Sequence, residues 1–80
     1  MNPRVKSVRP LNNFELEITF QNDEVRLFDM KPLLNIGVFK QLQDWNIFKK
    51  VQPFLGSIRW TTGQDLCPDT LYLESKILDS

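Results

Sequence analysis

The segment from Phe14 to Phe20 alternates apolar and polar side chains without interruption. Successive side chains of an extended strand point to opposite faces, so this period of two is typical of a strand with one buried face. Upstream, Val5 to Pro10 is predicted to be its partner strand. A loop at residues 12–13 joins the two, and the pattern leaves open whether it has two or three residues. The chain must therefore contain an antiparallel hairpin.

A third strand is predicted to follow through a tight turn at residues 22–23. Closing the hairpin there places Phe20 opposite Val25 and Ile18 opposite Leu27, which joins the apolar faces of the two strands. Three consecutive antiparallel strands are therefore expected.

The period then changes, which predicts short helices. Pro32 ends the strand region, because proline lacks the amide hydrogen that a ladder needs. The apolar positions beyond it recur in steps of three, which one straight helix cannot keep on one face. We therefore expect a short helix at residues 38–43 and a further turn at residues 45–50, with Asp44 as the N-cap between them.

A second hairpin is predicted from residue 51 onward. Strands at 51–55 and 58–60 would be joined by a two-residue turn at residues 56–57. Pro53 has no amide donor, so the first of these strands is expected at the edge of a sheet.

The last element is predicted to be a turn followed by a helix. Gly63 suits a left-handed turn, and Pro68 suits the first position of a helix. Asp69 would lie in the first turn, where a carboxylate stabilises the positive helix end. Residues 71–72 are expected to pack this helix against Trp60.

Length and composition limit the chain to one small domain. Its 80 residues, 41% hydrophobic and 11% aromatic, can form a single core. We assign residues 3–73 to one α+β domain and residues 74–80 to a C-terminal tail. A single cysteine excludes an internal disulfide and favours the cytoplasm. No apolar run has the length of a membrane helix, so a soluble protein with no membrane partner is expected.

The residue patterns on which most catalysis depends are missing. The chain has no histidine, no phosphate-binding glycine loop and no metal-ligand spacing. Cys67 lies near a predicted helix N-terminus, but without a histidine base a buried structural cysteine is the better interpretation. Asp65, Asp69 and Glu74 lack the spaced oxygen ligands of a calcium loop, and capping explains them better. We therefore expect no enzyme activity, no cofactor and no metal site.

The charges are balanced overall but unevenly placed. Ten basic and ten acidic side chains cancel, which makes nucleic acid an improbable partner for this domain alone. Residues 1–10 nevertheless carry +3, and residues 61–80 carry four acids against Lys76, or −3. These charges either neutralise each other across the fold or form a self-complementary or partner-steering surface.

These elements together resemble a known family, the bacterial domain of unknown function numbered 2442. The resemblance is carried by Leu16, Phe20, Phe28-Asp29, Pro32-Leu33, Phe39, Leu42, Phe48, Val51 and Ile58, and most sharply by Trp60, Gly63, Asp65-Leu66, Pro68-Asp69 and Leu71-Tyr72. The chain departs from the family at Asp23, where a glycine is usual, and at Thr61, where a proline is usual. The resemblance implies a small α+β fold that occurs alone or beside helix-turn-helix domains. It also implies a small protein encoded nearby and a suspected toxin-antitoxin role.

Protein association is the function that these observations favour. The domain is expected to be a non-enzymatic interaction module whose partner is another small protein or a second copy. The expected role is antitoxin-like or regulatory. The alternative is an accessory domain of a DNA-binding transcriptional regulator. Phe28 would either lie on an open sheet face or be covered by a helix. The candidate interaction or motif residues are Phe28, Pro53, Trp60, Gly63, Asp65, Pro68, Asp69 and Tyr72.

Overall fold

A computed structural model describes residues 2–78 and contains two antiparallel sheets and several short helices. The first sheet comprises β1 (Val5–Pro10), β2 (Glu15–Phe20), β3 (Val25–Asp29) and β7 (Lys76–Ile77), in the order β1-β2-β3-β7. The second comprises β4 (Gln52–Phe54), β5 (Ser57–Arg59) and β6 (Asp65–Leu66), in that order. The predicted α+β class is confirmed, and so is the meander of three consecutive strands.

The fourth strand of the first sheet lies where the sequence indicated only a tail. Residues 76–77 pair with β3, Ile77 opposite Arg26 and Lys76 opposite Leu27. Two residues are too few to produce a recognisable alternation, so this strand had no sequence signal. Residues 79 and 80 of the predicted tail lie outside the described residues.

Three hairpins of the molecule share one loop design. Each loop has three residues, and the amide of the third donates to the carbonyl three residues earlier, at 2.9–3.0 Å. A hairpin loop of three residues usually has this hydrogen bond, and its third residue is left-handed. The left-handed residues are Phe14 (φ 63°), Asp23 (φ 68°) and Gly63 (φ 102°). The loop of the first hairpin, left open by the sequence, therefore has three residues.

This loop length makes the predicted register of the β2-β3 hairpin wrong by one residue. Val25 lies opposite Thr19 instead of Phe20, and Phe28 lies opposite Leu16. A shift of one residue exchanges the two faces of a strand, so Phe28 turns into the core. It is 5% exposed and is therefore covered, as in the second of the two alternatives.

The helical segment follows the prediction closely. A 3₁₀ helix spans Gly37–Gln43, after a shorter one at Lys31–Leu33. The helix α1 (Trp45–Phe48) begins after Asp44, whose side chain accepts a hydrogen bond from the Asn46 amide. The predicted N-cap is confirmed, and the bend it creates lets both short helices bury apolar residues.

The turn between β4 and β5 is one residue earlier than predicted. It consists of Leu55 and Gly56, both with positive φ, whereas Ser57 already belongs to β5. Two left-handed residues define the tight turn that matches strand twist. A Cβ atom at Gly56 would lie 2.9 Å from the Arg4 side chain, which would have to move. The amide of Val5 donates to the Gly56 carbonyl at 2.9 Å, which joins β1 to this turn.

The last helix, α2 (Pro68–Leu73), begins as predicted. Pro68 occupies the first turn, Asp69 lies beside it, and Gly63 has the left-handed conformation expected of it. Tyr72 makes its aromatic contact with Phe20, ring centroids 5.1 Å apart, rather than with Trp60.

One apolar core joins both sheets and the helices. Its buried members are Val5, Leu16, Ile18, Phe20, Phe28, Met30, Leu34, Leu42, Phe48, Val51, Ile58, Trp60 and Leu71. Trp60 is fully buried, and its indole N–H donates to the Phe48 carbonyl at 2.9 Å. Among residues 2–78, no helix is long and apolar enough to cross a membrane.

Candidate functional site

A groove of about 400 Å³ runs along the turn of the β4-β5 hairpin. One wall consists of Phe54 and Leu55, and the other consists of residues 65–68, where β6 leads into α2. Ser57 and Ile58, both buried, form its base. We refer to this concavity as the hairpin groove. It contains Asp65 and Pro68 from the predicted candidates.

The two large apolar side chains of the first wall of the groove, Phe54 and Leu55, are exposed to solvent. Phe54 is 40% exposed, and Leu55, at the tip of the turn, is 80% exposed. The left-handed backbone at Leu55, with φ of 50°, is a conformation that costs a residue with a side chain about 1–2 kcal/mol. Leucine is therefore favoured at this position neither by the turn nor by burial.

The hairpin groove also contains two polar side chains, Ser57 and Cys67. The Ser57 hydroxyl donates to the carbonyl of Leu66, so it is held against the backbone. Cys67 is exposed, which makes its interpretation as a buried structural cysteine wrong. The chain has no histidine that could activate either group. What the groove can offer a ligand is apolar surface with a carboxylate at its edge.

The outward side of the second sheet continues from the groove. The strand register places four exposed residues and the buried Ser57 on this side, which we call the outer face; the exposed residues are Gln52, Phe54, Arg59 and Asp65. The Arg59 guanidinium lies 4.8 Å from the centre of the Phe54 ring. Such a cation–π contact is worth roughly 0.5–1 kcal/mol at an exposed site.

The remaining predicted candidates lie away from the groove and have structural roles. Trp60 and Phe28 are core residues, and Gly63 occupies a hairpin loop. Asp69, at the start of α2, accepts a hydrogen bond from the side-chain Nδ2 of Asn2 at 3.1 Å. Pro53 is exposed on β4, an end strand of its sheet, as the missing amide predicted.

A polar cluster beside the core was not predicted from the sequence. Arg26 lies next to Ile18 on the inner side of β3, since the register was predicted one residue away. Its guanidinium covers the Tyr72 ring at 3.8 Å and bonds to Glu24 at 2.8–2.9 Å. The Tyr72 hydroxyl also donates to Glu24, at 2.9 Å. Every polar end of the cluster has a partner, so it joins α2 to the first sheet.

We expect this cluster to make the stability of the fold depend on pH. The hydrogen bond from Arg26, followed by that from Tyr72, holds the pKa of Glu24 below its ordinary value. A lowered folded-state pKa stabilises the protein above the unfolded-state value, and the stabilisation is lost as the pH falls through the folded-state pKa. We expect Glu24→Gln to be less stable than the parent at pH 7, and the difference to shrink below about pH 4.3.

Urea unfolding across this pH range measures the effect. Glu74→Gln, which removes an exposed carboxylate of the same kind, is the control and should follow the parent profile. A constant gap between Glu24→Gln and the parent down to about pH 3 would contradict the assignment.

Several basic side chains at the start of the chain are neutralised within the fold. Lys6 pairs with Asp23 at 3.4 Å, and Arg9 pairs with Glu17 at 3.0 Å. Both pairs are on the surface of the first sheet. The positive charge of residues 1–10 is thereby reduced, but by acids of β2 and the loop after it rather than by those of residues 61–80. Within residues 2–78, no cluster of three or more acidic or cysteine ligands could hold a metal ion.

Comparison with protein families now places the chain. A family model described as "Protein of unknown function (DUF2442)" matches residues 5–76. The chain belongs to this family. The matched range runs from the first residue of β1 into β7, so it includes the residues of both α-helices and those that line the hairpin groove. No curated protein and no solved structure matched the chain.

Proposed function

We propose that the chain is a non-enzymatic protein-interaction domain that binds another small protein, or a second copy, through the hairpin groove. The observation that carries this proposal is the pair Phe54 and Leu55, two large apolar side chains left open to solvent on one short hairpin. Burying such side chains is the main source of affinity in protein interfaces. The family resemblance suggests a partner encoded nearby and an antitoxin-like or regulatory role, in the cytoplasm.

Three edge strands, β1, β4 and β7, are poorly suited to pairing with a strand of a partner, which favours contact through side chains. On β1, Lys6 lies at a bulge, a combination that discourages a further strand. On β4, Pro53 offers no amide hydrogen to a strand added there. The two-residue strand β7 contains Lys76 and is too short to pair extensively. An apolar groove beside a charged rim is a surface suited to contact through side chains.

A DNA-binding role receives less support from the charge distribution. Lys6 and Arg9 have acidic partners, and the chain carries no net charge. DNA binding by phosphate contacts falls steeply as salt rises. Titration of the domain with duplex DNA at about 50 and 200 mM salt would detect it, and a steep loss of affinity would favour the alternative of a regulator's accessory domain.

The direct test is co-expression with the product of the adjacent gene, followed by purification and mass measurement in solution. We expect a stable complex, or a mass above that of the monomer. A strictly monomeric protein that retains no partner would contradict the proposal.

Replacing Leu55 by asparagine separates folding from binding. Asparagine followed by glycine is the favoured pair for this turn, so Leu55→Asn should stabilise the fold by about 1 kcal/mol, which is roughly 4–8 °C in melting temperature. The same change should weaken partner binding by about tenfold or more, because it removes the most exposed apolar side chain of the groove.

A matched control is Leu73→Ala, which truncates another exposed leucine on α2. It should leave binding unchanged. Full binding by Leu55→Asn, measured by titration calorimetry with the co-expressed partner, would exclude Leu55 as a contact.

A further inference from the structure

The outer face of the second sheet carries a pair of opposite charges that do not neutralise each other. Arg59 and Asp65 lie directly opposite in the β5-β6 ladder, and both are exposed. Arg59 and Asp65 nevertheless do not form an ion pair: the ion pairs within 4.0 Å among residues 2–78 join other side chains. The Arg59 guanidinium lies over the Phe54 ring instead. The Asp65 carboxylate is thereby left available to a cation from outside.

From this arrangement we propose that the outer face is an interface with a second copy of this chain, in which Arg59 of each copy pairs with Asp65 of the other. The proposal rests on the proposed function and names its partner. A two-fold axis that runs along the strands, between β5 and β6, brings both pairs together at once. Symmetric interfaces are self-complementary in this way.

The apolar side chains next to this pair supply the contact area. Phe54 lies on the neighbouring strand β4, on the same face, and Leu55 follows it at the tip of the turn. Their exposed surface is small, which places the interface at the weak, transient end of the range. The outer face, unlike the ends of the sheets, has no bulge or proline that would hinder such packing.

Charge exchange tests the pairing. Arg59→Asp gives a copy with two acids at these positions, and Asp65→Arg gives a copy with two arginines. Each variant alone should self-associate at least about tenfold more weakly than the parent, because like charges would face each other. An equimolar mixture should regain the association, because each acidic position then meets an arginine. An Arg59–Asp65 attraction within one copy could not produce this rescue.

Sedimentation velocity over about 10 µM to 1 mM, the range for a small interface, gives the readout. Amide chemical shifts of the parent protein on dilution give a second, independent of how the variants fold. We expect shift changes at the outer face and not at α1.

A parent protein that stays monomeric, single variants that associate like the parent, or a mixture of two folded variants without rescue would each overturn the inference. Shift changes confined to another surface would do the same. If the protein is monomeric but co-purifies with the product of the adjacent gene, only this inference fails. If neither association occurs, the proposed function fails as well.

Discussion

Replacing Trp60 by alanine should destabilise the protein by roughly 3–5 kcal/mol, as large core truncations do. Trp60 is fully buried, and its ring lies 6.0 Å from that of Phe48. The substitution also removes the shorter of two hydrogen bonds to the Phe48 carbonyl, which would keep only the Val51 amide at 3.3 Å. Small domains have only about 5–15 kcal/mol of stability, so the variant should melt at least about 12 °C lower and could be partly unfolded at 37 °C.

The second tryptophan of the chain provides the control. Trp45 is 37% exposed and packs edge-on against Phe14, so Trp45→Ala should cost clearly less than Trp60→Ala. Circular dichroism during heating and urea titration measure both. Equal melting temperatures for Trp60→Ala and the parent, together with a loss of partner binding, would move Trp60 from the core to an interface.

Two leucines on one helix give the second large effect. Leu71 is fully buried and is the one buried residue of α2, whereas Leu73, two positions later, is 68% exposed. Leu71→Ala should cost about 2–5 kcal/mol, because it opens a cavity where α2 meets β5. Leu73→Ala should change the free energy of unfolding by no more than about 0.5 kcal/mol.

Hydrogen exchange would show how the loss of Leu71 acts. A helix of six residues has little stability of its own, so α2 should exchange its amides faster throughout in Leu71→Ala. Unfolding energies that are equal for the two variants would mean that α2 is not anchored through Leu71.

Patterns with a local physical cause predicted the fold well. Alternation located β2, a capping carboxylate at Asp44 separated the two helical segments, and Pro68 marked the start of α2. Each depends on groups only a few residues apart. The errors lie where one residue of loop length decides the outcome. The loop closed by Asp23 moved the register by one position and carried Phe28 and Arg26 to the inner face.

The candidate groove was only half visible in the sequence. Asp65 and Pro68 belong to a motif with turn and helix signals, whereas Leu55 resembles any strand residue. Leu55 is exposed because it forms the turn together with Gly56. Such turns favour a glycine pair or an asparagine-glycine pair, so a leucine does not indicate one. The sequence signal that could have found it is the single glycine, Gly56, after the predicted strand, taken as the second residue of the turn.

The shared shape of three hairpin loops has a consequence for how this fold can vary. An aromatic residue, an acid and a glycine occupy the same backbone conformation, so the chain reversal tolerates very different chemistry at one geometric position. Phe14 packs edge-on against Phe48, with ring centres 5.0 Å apart, whereas Asp23 is exposed to solvent. The loop length, more than the kind of side chain at this position, therefore fixes how the strands on either side are paired.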